Sequence, residues 1–172
     1  MPNQEQEAKV KEFEAYNFGL RPSGRATPRF HDNDVRLIQI LPPKGKKDPS
    51  TVELTFFDRE EGTKGVERLL RIRGCASLRF SIDFDILADN TSGPHSSAGQ
   101  TSNVEMSGCR DCIRQALKQG MADWNVEYQG SRETPASYRL YRLQEFILVK
   151  VWLCGGVMEI VGRDFEIETK PA

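Results

Sequence analysis

Leu78, Phe80, Ile82, Phe84 and Ile86 stand at strict period two, with Ser77, Arg79, Ser81, Asp83 and Asp85 between them. Side chains alternate between faces along a strand, so this run puts its large apolar groups on one side and its polar groups on the other. A helix would scatter the same residues around its circumference. The segment reads as a half-buried β-strand, and its apolar face needs a second layer to cover it.

Neighbouring segments carry the same signature. Val35 to Leu41 is a dense apolar run closed by Pro42-Pro43 and the basic turn Lys44 to Lys47. Val52, Leu54 and Phe56 alternate with Glu53, Thr55 and Phe57, up to a turn at Gly62 to Gly65. Val66, Leu70 and Ile72 share one parity. If they form a hairpin with the next strand, a three-residue loop Gly74 to Ala76 sets Ile72 opposite Leu78 and Leu70 opposite Phe80, whereas a two-residue loop sets core opposite solvent. Gln144 to Cys154 and Val157 to Glu168 read as a long hairpin around Gly155-Gly156. Counting outward places Leu153 opposite Met158 and Val151 opposite Ile160, and the parity change before Phe165 and Ile167 predicts a bulge near Gly162.

Two segments are helical in period. Asn3 to Phe18 lacks Pro and Gly, spaces Val10, Phe13 and Tyr16 along one face, and stops at Gly19. Cys109, Cys112, Ile113, Ala116, Leu117, Gly120, Met121 and Trp124 form a second apolar face, with Ser107 as its N-cap. Between the first helix and the strands, Arg21 to Arg29 holds two prolines and a glycine and reads as a connector. Asp89 to Gly108, crowded with Ser, Thr, Gly and Asn, reads as a flexible loop. Asn125 to Ala136 is turn-rich, and Ser137 to Leu143 is one more strand or a lead into the next. The expected fold is therefore α+β. A mainly antiparallel sheet of about six to seven strands carries one central amphipathic helix and a short N-terminal helix. Residues 1–29 are arm and connector; residues 30–172 are a single β-rich domain with a flexible loop at 89–108.

Charge narrows the function classes. With 24 basic and 25 acidic side chains the chain carries −1, against the basic excess of a nucleic-acid binder. No stretch reaches the ~20 apolar residues that span a bilayer, so no membrane partner is expected. Four cysteines in 172 residues make no disulfide scaffold, and reduced thiols in the cytoplasm are the expectation.

Each candidate for chemistry has a plainer reading. Cys109-x-x-Cys112 has the spacing of a redox or zinc half-site, but lacks the second pair a zinc site needs. Its two cysteines share the apolar face, so they read as small buried hydrophobes. Asp83 and Asp85 could hold magnesium, yet Arg71, Arg73 and Arg79 on the same hairpin face would balance them as an ordinary solvated surface. His31 with Asp32 could be a dyad; the alternative is that Asp32 or Asn33 caps a turn while Phe30 anchors the strand. Arg21, Arg25 and Arg29 could meet phosphate but lack interleaved aromatics, and read as a solvated linker. No catalytic residue, metal or cofactor is assigned; His31, Asp32, Arg79, Asp83 and Asp85 are the candidate binding residues.

Phe30-His31-Asp32 before an apolar strand, then Thr51 to Phe57, the run Leu70 to Phe84 and the glycine-turned hairpin Phe146 to Ile167, resembles a group of small bacterial β-rich proteins. Some of these are immunity proteins that neutralise polymorphic toxins. The resemblance covers roughly residues 30–88 and 144–168 and rests on strand pattern. It implies a protein-binding module in place of an enzyme, and picks out His31 and Asp32. The expected function is thus a non-catalytic interaction module with a protein partner. The alternatives are a metal-assisted enzyme using Asp83, Asp85 and His31, and a small-ligand binder with 89–108 as its lid.

Overall fold

The computed structural model describes residues 2–21, 24–44, 50–59, 61, 64–82, 100–127 and 143–171. Among them are eight strands in two antiparallel sheets: β1 (Asp34–Leu41), β2 (Thr51–Asp58), β3 (Val66–Arg73) and β8 (Asp164–Pro171) in the first, in the order β1-β2-β3-β8, and β4 (Ser77–Ile82), β7 (Gly156–Gly162), β6 (Ile147–Leu153) and β5 (Thr101–Ser107) in the second, in the order β4-β7-β6-β5. Helix α1 (Gln4–Phe18) precedes them, and α2 (Arg110–Glu127) follows β5. The class is α+β and mainly β.

The sheets face each other across one core. Val52, Leu54, Phe56, Leu70 and Ile72 come from the first sheet; Val104, Met106, Val149, Val151, Met158 and Ile160 come from the second. Alternation therefore did its work, but in two layers instead of one sheet. The hairpin expected between the strands around Gly74 does not form, because β3 pairs with β2 and β8 while β4 pairs with β7. Leu78 and Phe80 lie opposite Ile160 and Met158. The short Gly74–Ala76 link carries the chain from one layer to the other, with Gly74 at φ 64, a value that favours glycine.

A second crossing replaces the expected bulge. β7 ends at Gly162, Arg163 donates its N–H to the Arg73 carbonyl (2.8 Å), and β8 joins the other sheet. A Cβ on Gly162 would stand 2.3 Å from Ile72 Cγ2, so the layers close on each other here only because the side chain is absent. The parity change before Phe165 marks a change of sheet. At the other end of β7 the two-residue turn is Cys154–Gly155, so Val151 faces Met158 and Val149 faces Ile160. The expected register was two residues out, which leaves every face unchanged.

Helix α1 is capped as its sequence specifies: Asn3 accepts the Gln6 N–H (2.8 Å) and Gln6 accepts the Asn3 N–H (3.0 Å), with Gly19 at the far end. It seals one side of the sandwich, from β8 to β5. Phe13 is buried against Phe30 (5.8 Å between rings) and Phe165 (5.9 Å). Tyr16 bonds Thr169 (2.7 Å), and Asn17 donates to the Val104 carbonyl (3.2 Å). Helix α2 covers part of the outer face of the second sheet, burying Ile113, Ala116 and Leu117 against Phe146, Leu148 and Val161. It runs beyond Trp124, to Glu127. The strand considered at 137–143 lies outside the described residues as far as 142, and Leu143 opens a 3-10 turn, Leu143–Glu145. Of the irregular segment expected over 89–108, residues 89–99 lie outside the described residues. From Thr101 the chain is strand β5, anchored by the Val104 and Met106 side chains.

Candidate functional site

The surface is shaped by which charges are spent on the fold. On the outer face of the first sheet, Arg71 meets Glu53 (2.7 Å), Glu168 (3.3 Å) and Glu166 (3.6 Å), and Arg73 also meets Glu166. The hydrogen bond Arg71 donates to Glu53, and the flanking carboxylates, hold the Arg71 guanidinium above its ordinary range. These arginines do not share a face with Arg79, which lies on the other sheet beside Glu159 (3.7 Å); Glu159 in turn holds Lys150 (2.9 Å). Both outer faces are cross-strand charge ladders, neutralised within the chain.

Of the connector arginines, Arg25 is exposed as expected, but Arg21 and Arg29 are not solvated. Arg21 is buried with Asp58 (3.2 Å) and bonds the Pro28 carbonyl. Arg68, at a core-parity position of β3 and fully buried, bonds Asp58 (3.0 Å) and Glu61. Arg29 reaches Glu61 (3.7 Å), the Tyr16 carbonyl (2.7 Å) and the Leu20 carbonyl (2.7 Å). Burial pushes the Arg21 pKa down, Asp58 pushes it up, and Arg68, Arg29 and Arg25 push it down. This network ties the segment after α1 to the β2–β3 end of the sandwich. The sequence signal for it was available: Arg68 interrupts the apolar parity of Val66, Leu70 and Ile72.

His31 and Asp32 form a turn that leads into β1. His31 Nδ1 is 2.8 Å from Asp32 Oδ2, yet makes no hydrogen bond, so the two are close but misaligned. Asp32 sits at φ 59, and its N–H donates to the Thr101 carbonyl (2.8 Å). Asn33 is buried and donates to the Arg29 carbonyl, while the Thr101 hydroxyl serves the Phe30 and Asn33 carbonyls. Phe30 fills the core against Phe56 (4.9 Å). The turn-and-anchor reading accounts for these contacts. Asp83 and Asp85 lie outside the described residues. His31 sits beside Thr101 of β5 and Arg79 on β4, at opposite edges of the second sheet and about 14 Å apart at one strand spacing per step. The structure does not bring them together.

Two other features present themselves. The first is apolar and lies on the strand edges that α1 does not seal. By register, Ile38 and Ile40 of β1 face inward with Leu54 and Val52, and Phe80 of β4 faces inward with Met158. All three are nonetheless exposed, at 39%, 63% and 47%. Alternation foresaw the parity of Phe80, while Ile38 and Ile40 stood only in a dense apolar run; the exposure of all three depends on strand order, which the sequence does not show.

The second is a groove between α1 and β5. A cavity of about 410 Å³ lined by Val10, Met106, Gly108 and Cys109 continues, past Glu14 and Ser107, into one of about 280 Å³ beside Phe13 and Phe18. Cys109, half-buried, lines the groove and Cys112 is exposed, so the pair is not the buried apolar filling expected. Among the described residues no group of three or more His, Cys, Asp and Glu is arranged to hold a metal ion, and no helix is long and apolar enough to cross a membrane. Compared with protein-family models, curated proteins and solved structures, the chain matches none.

Proposed function

We propose that this chain is a non-catalytic protein-interaction module of the immunity-inhibitor kind, which takes an extended segment of a partner protein against the edge of β1 beyond the Asp34–Gln100 bridge. There, among the described residues, Leu37–Leu41 pairs with no other strand than β2. The observation that carries this reading is the exposure of Ile38, Ile40 and Phe80 at positions whose parity is that of the core. Apolar area left in water costs roughly 25 cal/mol per Å², and an edge strand offers a free row of backbone donors and acceptors. Natural edges are blunted by charge, proline or bulges. In β1 the bulge and both charges lie in the first half: Arg36 is held over the Phe57 ring (3.5 Å) and by Glu67 (3.3 Å), and Asp34 by Arg59 (2.8 Å). Leu37–Leu41 carries no charge at all. The occupant that suits it is a strand with apolar side chains at alternate positions, extending the Ile38 and Ile40 row.

The strand pattern resembles that of immunity proteins, and that resemblance says where to look for the partner, since such proteins are encoded beside the toxins they neutralise. The test is co-expression with the products of adjacent reading frames, followed by affinity measurement on the purified complex. Ile40→Glu is expected to weaken the complex at least about tenfold, as expected for a charge buried unpaired at an interface, with the melting temperature unchanged. An unaltered affinity, or self-association of the free chain through β1, would contradict the proposal.

A further inference from the structure

The two cysteines set aside by the sequence as core filling occupy a reactive position. Cys109 immediately precedes α2, and its sulfur accepts the Cys112 N–H (3.3 Å), while its own N–H is held by Ser107 Oγ (3.1 Å). The first-turn N–H groups of a helix have no partner within the helix, and their dipoles favour negative charge on a group placed there. Cys112 stands one turn further on and is exposed, and Cys109 opens on the groove. Asp111, the nearest negative charge in sequence, is engaged by Arg114 (2.6 Å). Lys150 is the positive group that acts on Cys112.

We propose that Cys109 and Cys112 form a reversible dithiol–disulfide couple that exchanges with a low-molecular-weight disulfide. Cys109 is the attacking sulfur. Its thiolate bonds to one sulfur of the incoming disulfide; the S–S bond breaks, and the other half leaves as a thiolate that takes a proton from water. Cys112 then loses its proton to solvent and attacks Cys109 Sγ, releasing the second half as a thiol. Two electrons pass from the protein to the disulfide, and two thiols leave. The groove beside Cys109 gives the first mixed disulfide room.

Electrostatics assign the same roles. A hydrogen bond from the Cys112 thiol, then backbone N–H groups, hold the Cys109 thiol below its ordinary range, while the same bond pushes Cys112 up. Cys75 is the internal contrast. Half-buried and bonded to the Ile72 carbonyl (3.0 Å), its thiol is pushed up to about 11 by desolvation.

The experiment equilibrates the whole chain in glutathione buffers from fully reduced to fully oxidised and maps disulfides by mass spectrometry. A Cys109–Cys112 disulfide is expected as the oxidised share rises. Cys112→Ser should trap one glutathione on Cys109, and Cys109→Ser should take it up about tenfold or more slowly, because thiolate fraction and access set the rate. Both variants keep the fold, since Cys112 is exposed and serine is itself a good N-cap. Failure to form the bridge in excess glutathione disulfide would overturn the proposal. So would equal uptake by the two variants, or labelling of Cys75 as fast as Cys109.

Discussion

Asp58 is the residue on which the buried charges converge, accepting from both Arg21 and Arg68. Taking charges out of water is costly, and removing one partner leaves the others uncompensated. Asp58→Ala is therefore expected to destabilise the chain by about 3–5 kcal/mol, measured by urea unfolding, an effect typical of breaking a buried ion pair. A loss below about 1 kcal/mol would place the network in solvent. Cys75 makes a second residue-scale prediction. Burial pushes its folded pKa up from the ordinary thiol value to about 11. The stabilisation from keeping this thiol neutral is complete below the unfolded pKa and is lost as pH rises through the folded one. Unfolding free energy should fall between pH 9 and pH 11, and Cys75→Ala should flatten the part of that fall the thiol causes. Identical pH curves for the two proteins would contradict this. Individual residues were the least legible in the sequence. Arg21 and Arg29 looked like linker charges because proline and glycine surround them, and nothing in a connector's composition announces that it folds back onto a sheet.

At the scale of elements, helix and strand positions were read well wherever the pattern was periodic. α1 follows from the Pro- and Gly-free run Asn3 to Phe18 and the stop at Gly19, and β2 and β4 from alternation alone. Pairing was read less well, since alternation fixes which face is buried but says nothing about which strand lies alongside. The turns at Gly74 and Gly162 show the difference. Each was interpreted as a local irregularity within one sheet, whereas each is a passage between layers. The Gly162 passage gives a direct test. Gly162→Ala pushes a methyl against Ile72 Cγ2 and is expected to cost about 1–3 kcal/mol, the usual range for overpacking. Ile72→Ala removes Cγ2 itself, so the double variant should cost less than the two single changes added together. Simple additivity in the double-mutant cycle would show that the two groups do not meet. β5 was missed because Thr, Ser and Asn outnumber its apolar residues, and only Val104 and Met106 carried the strand period.

For the whole molecule, the division of the surface is the informative property. One side of the sandwich is sealed by α1, both outer faces bear charge ladders balanced within the chain, and part of one is covered by α2. Among the described residues, the apolar groups still exposed at core parity are at the edges of β1 and β4. The candidate residues chosen from sequence sit elsewhere: His31 and Asp32 in a structural turn, Arg79 in a ladder, and Asp83 and Asp85 outside the described residues. Sequence could select polar groups near strands but could not show which apolar groups would lack a cover. Hydrogen–deuterium exchange on the chain alone and in complex with its co-expressed partner tests whether β1 is the docking edge. Strong new protection of the backbone amides of Leu37–Leu41 is expected, with little change in the charge ladders. Protection confined to the charged outer faces, with the β1 amides exchanging as in the free chain, would contradict it.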